Sequence, residues 1–450
     1  MSFRILLSIA VVLTVLQSIG TAQSWVHLGL SGEKVYGITM AESVPGKLIC
    51  GTRSTYSSSG SHYGGIYHLD LVDSGIDTFY QNISVVDFAS LPSNSNNIYA
   101  ALHVQAFCSP GILKSTDGGR TWNWKNLGLY IDGETGVDQI EINPRNPLCI
   151  FTSTSGNHGG KAYRTLSAGN TWVELDNSQE TGIWDSNVTG WAINPLDSAI
   201  VYSGCTGVGM IFKSVDNGDS WNRVFSGAGY PGPCEGMAIN PQYPSTVYAL
   251  FSGSGVYTSD DGGQSWSWSN DGLNDLHVRD ILIHPTFTDS IFLATTAGVY
   301  ISGDGGSNWT EMNEGLDTLL VETLFFDPEH NNLYCGTHDG VYGLGDQLSV
   351  NYRQTILPSD WGIERIYPNP FNSEVTIIVQ TSKSRVVQIE LISILGSVVV
   401  MDQSYSLYPG RNEVRINAKT KGIQSFSSGT YLVRIGTGTE QMSRKVVLIK

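Results

Sequence analysis

The chain is poor in positive charge. Its 450 residues carry 25 Lys and Arg against 41 Asp and Glu, a formal net charge of −16. Phosphate backbones require a basic surface, so a nucleic-acid partner is excluded. Charged residues of both signs reach only 15%, too few for a disordered polyelectrolyte. Cysteine is scarce too. Cys50, Cys108, Cys149, Cys205, Cys234 and Cys335 show no CxxC and no Cys/His spacing, so no metal is expected. No motif asks for another cofactor. Long apolar runs are missing apart from one, residues 5–16, which follows Arg4 and precedes the small residues Gly20, Thr21 and Ala22. That run is too short to span roughly 30 Å of hydrocarbon. It has the layout of a signal peptide over residues 1–22. The mature chain is therefore expected to be exported and to carry no membrane span.

What the chain has in quantity is Gly (51), Tyr (21) and Trp (11), which suits short strands joined by tight turns rather than helical bundles. Charge is unevenly placed. Residues 351–450 hold 12 basic and 7 acidic side chains, or +5, which leaves −21 for residues 1–350. Such a sign change marks a domain boundary.

One string recurs in the acidic part: STDGGRTW (115–122), SVDNGDSW (214–221), SDDGGQSW (259–266) and SGDGGSNW (302–309). A degenerate copy, residues 165–172, has Ser167 in place of the Asp. The closing tryptophans stand 50, 49, 45 and 43 residues apart, the period of propeller blades. In each copy the carboxylate (Asp117, Asp216, Asp261, Asp304) can accept backbone N–H bonds across a turn. Gly supplies positive φ, and the Trp (Trp122, Trp221, Trp266, Trp309) buries its ring. These residues are read as structural, not catalytic or calcium-binding.

A short apolar strand precedes each copy, and GGIYH (64–68) and GVYGL (340–344) repeat that strand without the box, making seven units. Upstream of each lies a second strand, such as NIYAAL (97–102), and before it one that often ends in a Pro turn. The seventh unit lacks a fourth strand. Residues 25–30 (WVHLGL), an echo of 124–129 (WKNLGL), can supply it, which would close the ring and remove an exposed sheet edge. The expected fold is all-β. A seven-bladed β-propeller over residues 25–346, its last blade closed by the N-terminal strand, precedes a linker (347–364) and a small immunoglobulin-like β-sandwich (365–450).

The recurring string resembles the Asp-box (BNR) motif, and the propeller is similar to sortilin-like and photosystem II stability/assembly-factor-like propellers. The last segment resembles the type A C-terminal sorting domain of type IX secretion. The matching residues are YPNPFN (367–372), Leu395-Gly396, PGRNEV (409–414), SSGTYLVRI (427–435) and the final KVVLIK. That resemblance implies outer-membrane export, the type IX machinery as partner, and a secreted or cell-surface location. Asp-boxes also occur in sialidases, whose early Arg-Ile-Pro motif is missing here, and in xyloglucanase-like glycosidases. The latter resemble two facing propellers, where this chain has one.

With strands alternating in the usual way, the boxes fall on one face, the bottom, and the loops between second and third strands fall at the top. Tyr56, Tyr63, Trp184 and Tyr230 lie in top loops, as do Arg53 and His103. The four aromatics are the candidate binding residues for a glycan or protein ligand. Six positions before the Pro turns stand Asp138, Thr189, Glu235, Arg279 and Glu322, with Asp280 beside Arg279. A glycoside hydrolase needs two carboxyls roughly 5–9 Å apart, and for that alternative Asp138, Glu235, Asp280 and Glu322 are the candidates. The leading expectation is a non-catalytic binding module with no catalytic residue. Cys205 and Cys234 are expected at the top face, joined by a disulfide that export permits.

Overall fold

The computed structural model describes residues 24–344 and 361–448, apart from stretches at 58–59, 63, 72, 92, 105–108, 133, 157–159, 176–187, 206–208, 227–230, 329, 368–373, 382, 394–397, 402–403, 418–428 and 437–440. The described residues form strands and turns without a helix. They divide into two units, Met1–Ser349 and Val350–Lys450.

Within the first unit, the described residues form seven antiparallel four-stranded sheets. Their inner strands are Val35–Thr39, Val85–Leu91, Thr135–Ile142, Val188–Ile193, Cys234–Ile239, Val278–Ile283 and Val321–Asp327. Each inner strand packs on the next and the last on the first, so the sheets are blades 1 to 7 of a closed propeller. Second strands such as Val247–Phe251 are buried along their whole length, because each is sandwiched between two blades and both its faces need apolar cover. The core is accordingly a series of clusters between neighbouring blades rather than one central mass. Phe151, Val188, Trp191 and Phe212 fill one cluster, and Tyr202, Met237, Val247 and Phe251 the next.

Trp25–Gly29 pairs antiparallel with Gly340–Leu344 and becomes the outer strand of blade 7. The N-terminal closure read from WVHLGL is present. Trp25 is 3% exposed. Its backbone N–H donates to Glu314 O at 2.7 Å and its indole N–H to Met312 O at 2.7 Å, tying blade 7 to blade 6.

The boxes join the third and fourth strands of blades 2 to 6. In blade 2, Ser115 Oγ donates to Asp117 Oδ1 (2.8 Å), which also accepts the Thr121 N–H (2.9 Å), while Thr121 Oγ1 donates to Oδ2 (2.7 Å). Asp216, Asp261 and Asp304 repeat this pattern. Ser265, through its hydroxyl and amide, holds the Asp261 pKa down at about 2. Two successive left-handed residues make each turn, Gly262 (φ 72°) and Gly263 (φ 89°) in blade 5. The freed carbonyls are used by the preceding blade: Tyr202 Oη and Lys213 Nζ both donate to Gly262 O at 2.8 Å, and Tyr248 Oη to Gly305 O at 3.0 Å. Each such box is therefore a staple between blades. The Gly118 N–H bonds Asn96 O, near the start of the second strand of blade 2, and the Gly262 N–H bonds Ser245 O, in the turn between the first and second strands of blade 5. Boxes and Pro turns thus share the bottom face.

The second unit holds a three-stranded sheet (Trp361–Tyr367, Glu374–Thr381, Gly410–Asn417). A second sheet has the order Val398–Met401, Arg385–Ser393, Gly429–Gly436, Gln441–Leu448, with Tyr405–Leu407 also paired to Arg385–Ser393. Its first strand starts inside the stretch expected as linker. In one sheet residues 375–379 are buried without a break, while in the other Val387, Ile389, Val433 and Ile435 are fully buried between more exposed neighbours, the alternation a sandwich core requires.

Candidate functional site at the channel mouth

Among the described residues, every inner strand begins with the same irregularity. Its pairing with the second strand skips one residue, and the skipped residues are Tyr36, Val86, Asp138, Thr189, Glu235, Arg279 and Glu322. A bulge bends its strand and re-aims a side chain. Repeated at one register around the ring, it sets seven side chains about the end of the channel opposite the boxes.

In blades 2, 3 and 6 the side chain after the bulge reaches the next blade. Asp87 Oδ2 accepts the Ile140 N–H (3.0 Å), Gln139 Oε1 the Trp191 N–H (2.9 Å) and Asp280 Oδ2 the Leu324 N–H (2.8 Å). Asp280 Oδ1 also accepts its neighbour Ile281 N–H at 2.8 Å. Asp280, considered above as an acid or base, is therefore a latch between blades 6 and 7. The channel, about 580 Å³, is lined by residues of all seven inner strands. Burial pushes Asp87 up to about 7 and Glu141 up to about 8, Asp87 adding to the latter.

At the mouth, Arg279 stands between two carboxylates, 3.8 Å from Glu235 and 3.7 Å from Glu322. His338 Nε2 lies 2.6 Å from Glu322 Oε1 and 3.4 Å from Tyr36 Oη. The Arg53 guanidinium lies over the Tyr36 ring, 5.3 Å from its centroid, and completes a chain across blades 5, 6, 7 and 1. On the other side, Asp138 Oδ1 accepts from Ser155 Oγ at 2.7 Å and lies 3.5 Å from His103 Nε2. Asp138 Oδ2 is buried without a hydrogen bond. Burial pushes the Asp138 carboxyl up to about 7 against the pull of Ser155 and Arg53. Burial also raises Glu235, with Arg279 opposing it.

Of the residues expected to bind ligand, Tyr63, Trp184 and Tyr230 lie outside the described residues, and Tyr56 falls in a hairpin strand, Thr55–Ser57, paired with Gly60–His62. Tyr36 and His338 escaped the sequence reading. In blade 1 the turn proline is Pro45, nine positions after Tyr36 rather than six, so the count back misses it. The signal present was the buried Val just before the bulge in six blades: Val35, Val85, Val137, Val188, Val278 and Val321.

The expected Cys205–Cys234 disulfide is not formed, and both residues are buried thiols. Side chains alternate across a strand, and it is Gly204, not Cys205, that faces Cys234. A Cβ on Gly204 would stand 2.2 Å from Cys234 Sγ. Cys205 turns the other way, into the cluster between blades 3 and 4, while Cys234 belongs to the cluster between blades 4 and 5. Burial raises both thiols, Cys205 up to about 12.

The molecule thus combines a closed β-propeller with a separate β-sheet unit. Residues 365–450 match the family of secretion system C-terminal sorting domains. This tail marks the chain for export by type IX secretion, to the cell surface or beyond it. No helix among the described residues is long and apolar enough to cross a membrane. A xyloglucanase from a Paenibacillus species is 27% identical over 189 residues, 38% of this chain and 18% of that enzyme. The match thus spans under a fifth of the enzyme's length. Among solved structures, the Niastella koreensis GH74 enzyme shares the fold, with a TM-score of 0.55 at 17% identity, covering 95% of this chain and 75% of that one. YCF48 from Cyanidioschyzon merolae has a TM-score of 0.49 at 14% identity over 72% of this chain and 98% of its own.

Proposed function

We propose that this is an exported binding module: a propeller of the Asp-box, sortilin-like kind that holds a glycan or protein ligand at its channel mouth without turning it over. In this reading residues 1–22 are a signal peptide, 25–346 the propeller, 347–364 a linker and 365–450 the sorting domain, which engages the type IX machinery. The observation that carries it is the state of the four carboxylates a hydrolase would draw on. Asp280 is spent on backbone N–H groups. Glu235 and Glu322 share Arg279, and Glu322 also has His338. Asp138 is left alone, and acid–base cleavage of a glycosidic bond needs a pair. Glycan and peptide arrays probed with the full-length protein, alongside hydrolysis assays on every glycan bound, test this. Binding without product is expected, and turnover lost in Asp138→Asn would overturn it.

The second reading, a glycoside hydrolase, draws support from Asp138 itself. A carboxyl raised to about 7 is suited to proton donation near neutral pH. It needs a partner carboxylate supplied by ligand-induced rearrangement of Glu235, so Glu235→Gln should then abolish turnover as fully as Asp138→Asn.

A further inference from the structure

We propose that the mouth takes a neutral saccharide and that Arg279 is the residue that selects it. This rests on the binding-module reading and names its ligand class. The Arg279 Nε–H is buried and makes no hydrogen bond. The carboxylates on either side, at 3.7 and 3.8 Å, stand just past hydrogen-bonding reach. The Arg279 Nε–H thus lies unpaired in a row between Glu235 and Glu322, whose other partners are Ser252 and His338, and a buried polar group left so is rare in folded proteins.

The order of the charges restricts what can join them. A ligand carboxylate placed on Arg279 would also meet Glu235 and Glu322, in a part of the chain that carries −21 over residues 1–350. A ligand ammonium placed on either glutamate would meet Arg279, with Arg53 further along the same chain of contacts. Either charge is repelled at close range by its second neighbour. A hydroxyl escapes both conflicts, because it donates to a carboxylate while accepting from a guanidinium. Adjacent hydroxyls on one ring can serve two neighbours of this row at once.

The test is calorimetric titration of the full-length protein with hexasaccharides that differ in charge. The neutral set is cellohexaose, mannohexaose, xylohexaose and laminarihexaose; the charged ones are hexagalacturonate and hexaglucosamine. At least one neutral member should bind, with an affinity that does not change between low and high salt. Arg279→Ala and Arg279→Gln should weaken it about tenfold, the loss of one charged hydrogen-bonding partner, with the melting temperature unchanged. Arg279→Lys should restore part of the loss. Neutral binding that ignores both Arg279 substitutions overturns the proposal. Binding only of a charged hexasaccharide, or of a peptide, also overturns it, while leaving the binding-module reading in place. No binder on either glycan or peptide arrays overturns both.

Discussion

Truncating Trp25 tests how the ring is held shut. The pairing of Trp25–Gly29 with Gly340–Leu344 joins the two ends of the propeller, so its loss opens a blade and exposes a sheet edge. Trp25 is the residue to change. It is 3% exposed, packs with Phe292, Val321 and Tyr342, and its indole donates to Met312 O at 2.7 Å. Buried aromatic truncations cost about 3–5 kcal/mol, and the orphaned Met312 carbonyl places Trp25→Ala near the upper half of that range, about 4 kcal/mol. For a unit of this size that corresponds to a melting shift of about 8 °C. Val26→Ala on the same strand is the control, since Val26 is 40% exposed and should cost under about 0.5 kcal/mol. Scanning calorimetry gives the global effect. Hydrogen exchange gives the local one, with loss of protection confined first to residues 340–344 and their neighbours. If Trp25→Ala melts with the native chain, or if exchange quickens elsewhere and not at 340–344, the closure does not hold the ring together and the reasoning fails.

Three further outcomes are expected. Glu141 has a folded pKa raised by burial to about 8, above its unfolded value of about 4.3. Its stabilising contribution is therefore full below about pH 4 and is lost as pH rises through about 8. Glu141→Gln should leave stability unchanged at pH 4 and raise it at pH 9, by at most about 5 kcal/mol for a carboxyl moved from about 4.3 to about 8, measured by denaturant melts at both; a pH-independent difference would refute this. Ala168 is held at φ 54° in the degenerate box, where Gly stands in three of the other boxes and Asn in the fourth. Ala168→Gly should stabilise by up to about 1 kcal/mol, and a lower melting temperature would contradict it. Asp216→Ala removes the acceptor for Ser214, the Ser220 N–H and the Ser220 hydroxyl. It should cost about 1–2 kcal/mol while leaving ligand affinity at the mouth unchanged; weakened affinity would place the ligand on the wrong face.

The propeller was legible because its repeats carry local chemistry. Each SxDxGxxW string names its own turn: the carboxylate, the left-handed glycines and the buried Trp are neighbours in sequence and need no knowledge of the rest of the fold. The closing strand was legible for the same reason, as an echo of the segment after the blade 2 box in a ring whose last blade was one strand short. The mouth was only half legible. Counting back from Pro found Asp138, Glu235, Arg279 and Glu322, but a count cannot say what each will meet. Arg279 lies between two glutamates, and His338 lies against Glu322, only because blades 5, 6 and 7 are adjacent. Asp280 shows the limit most plainly. One residue from Arg279, it points across to Leu324 N–H instead of to the mouth, because a bulge shifts facing by one position. The Cys205–Cys234 pairing failed on the same point. Both residues sit at the correct end of their strands, but Gly204 occupies the position facing Cys234.

That difference between the two ends of the propeller carries a functional consequence. At the bottom, the same side-chain types recur in box after box, and their carbonyls and carboxylates are consumed by turns and by the Tyr and Lys of the preceding blade. A ligand there would have to break bonds the fold already makes. At the top, the seven bulges share a backbone geometry and differ in every side chain but the two glutamates: Tyr36, Val86, Asp138, Thr189, Glu235, Arg279, Glu322. The geometry is supplied by strand pairing, so the side chain at each bulge can change without altering the scaffold. A site built this way can acquire specificity one blade at a time. It also follows that exchanging a bulge residue should alter binding more than stability, whereas exchanging a box residue should do the reverse. The orphaned Asp138 Oδ2 and Arg279 Nε–H fit that division. They are polar groups the fold does not satisfy, and both belong to bulge residues rather than to boxes.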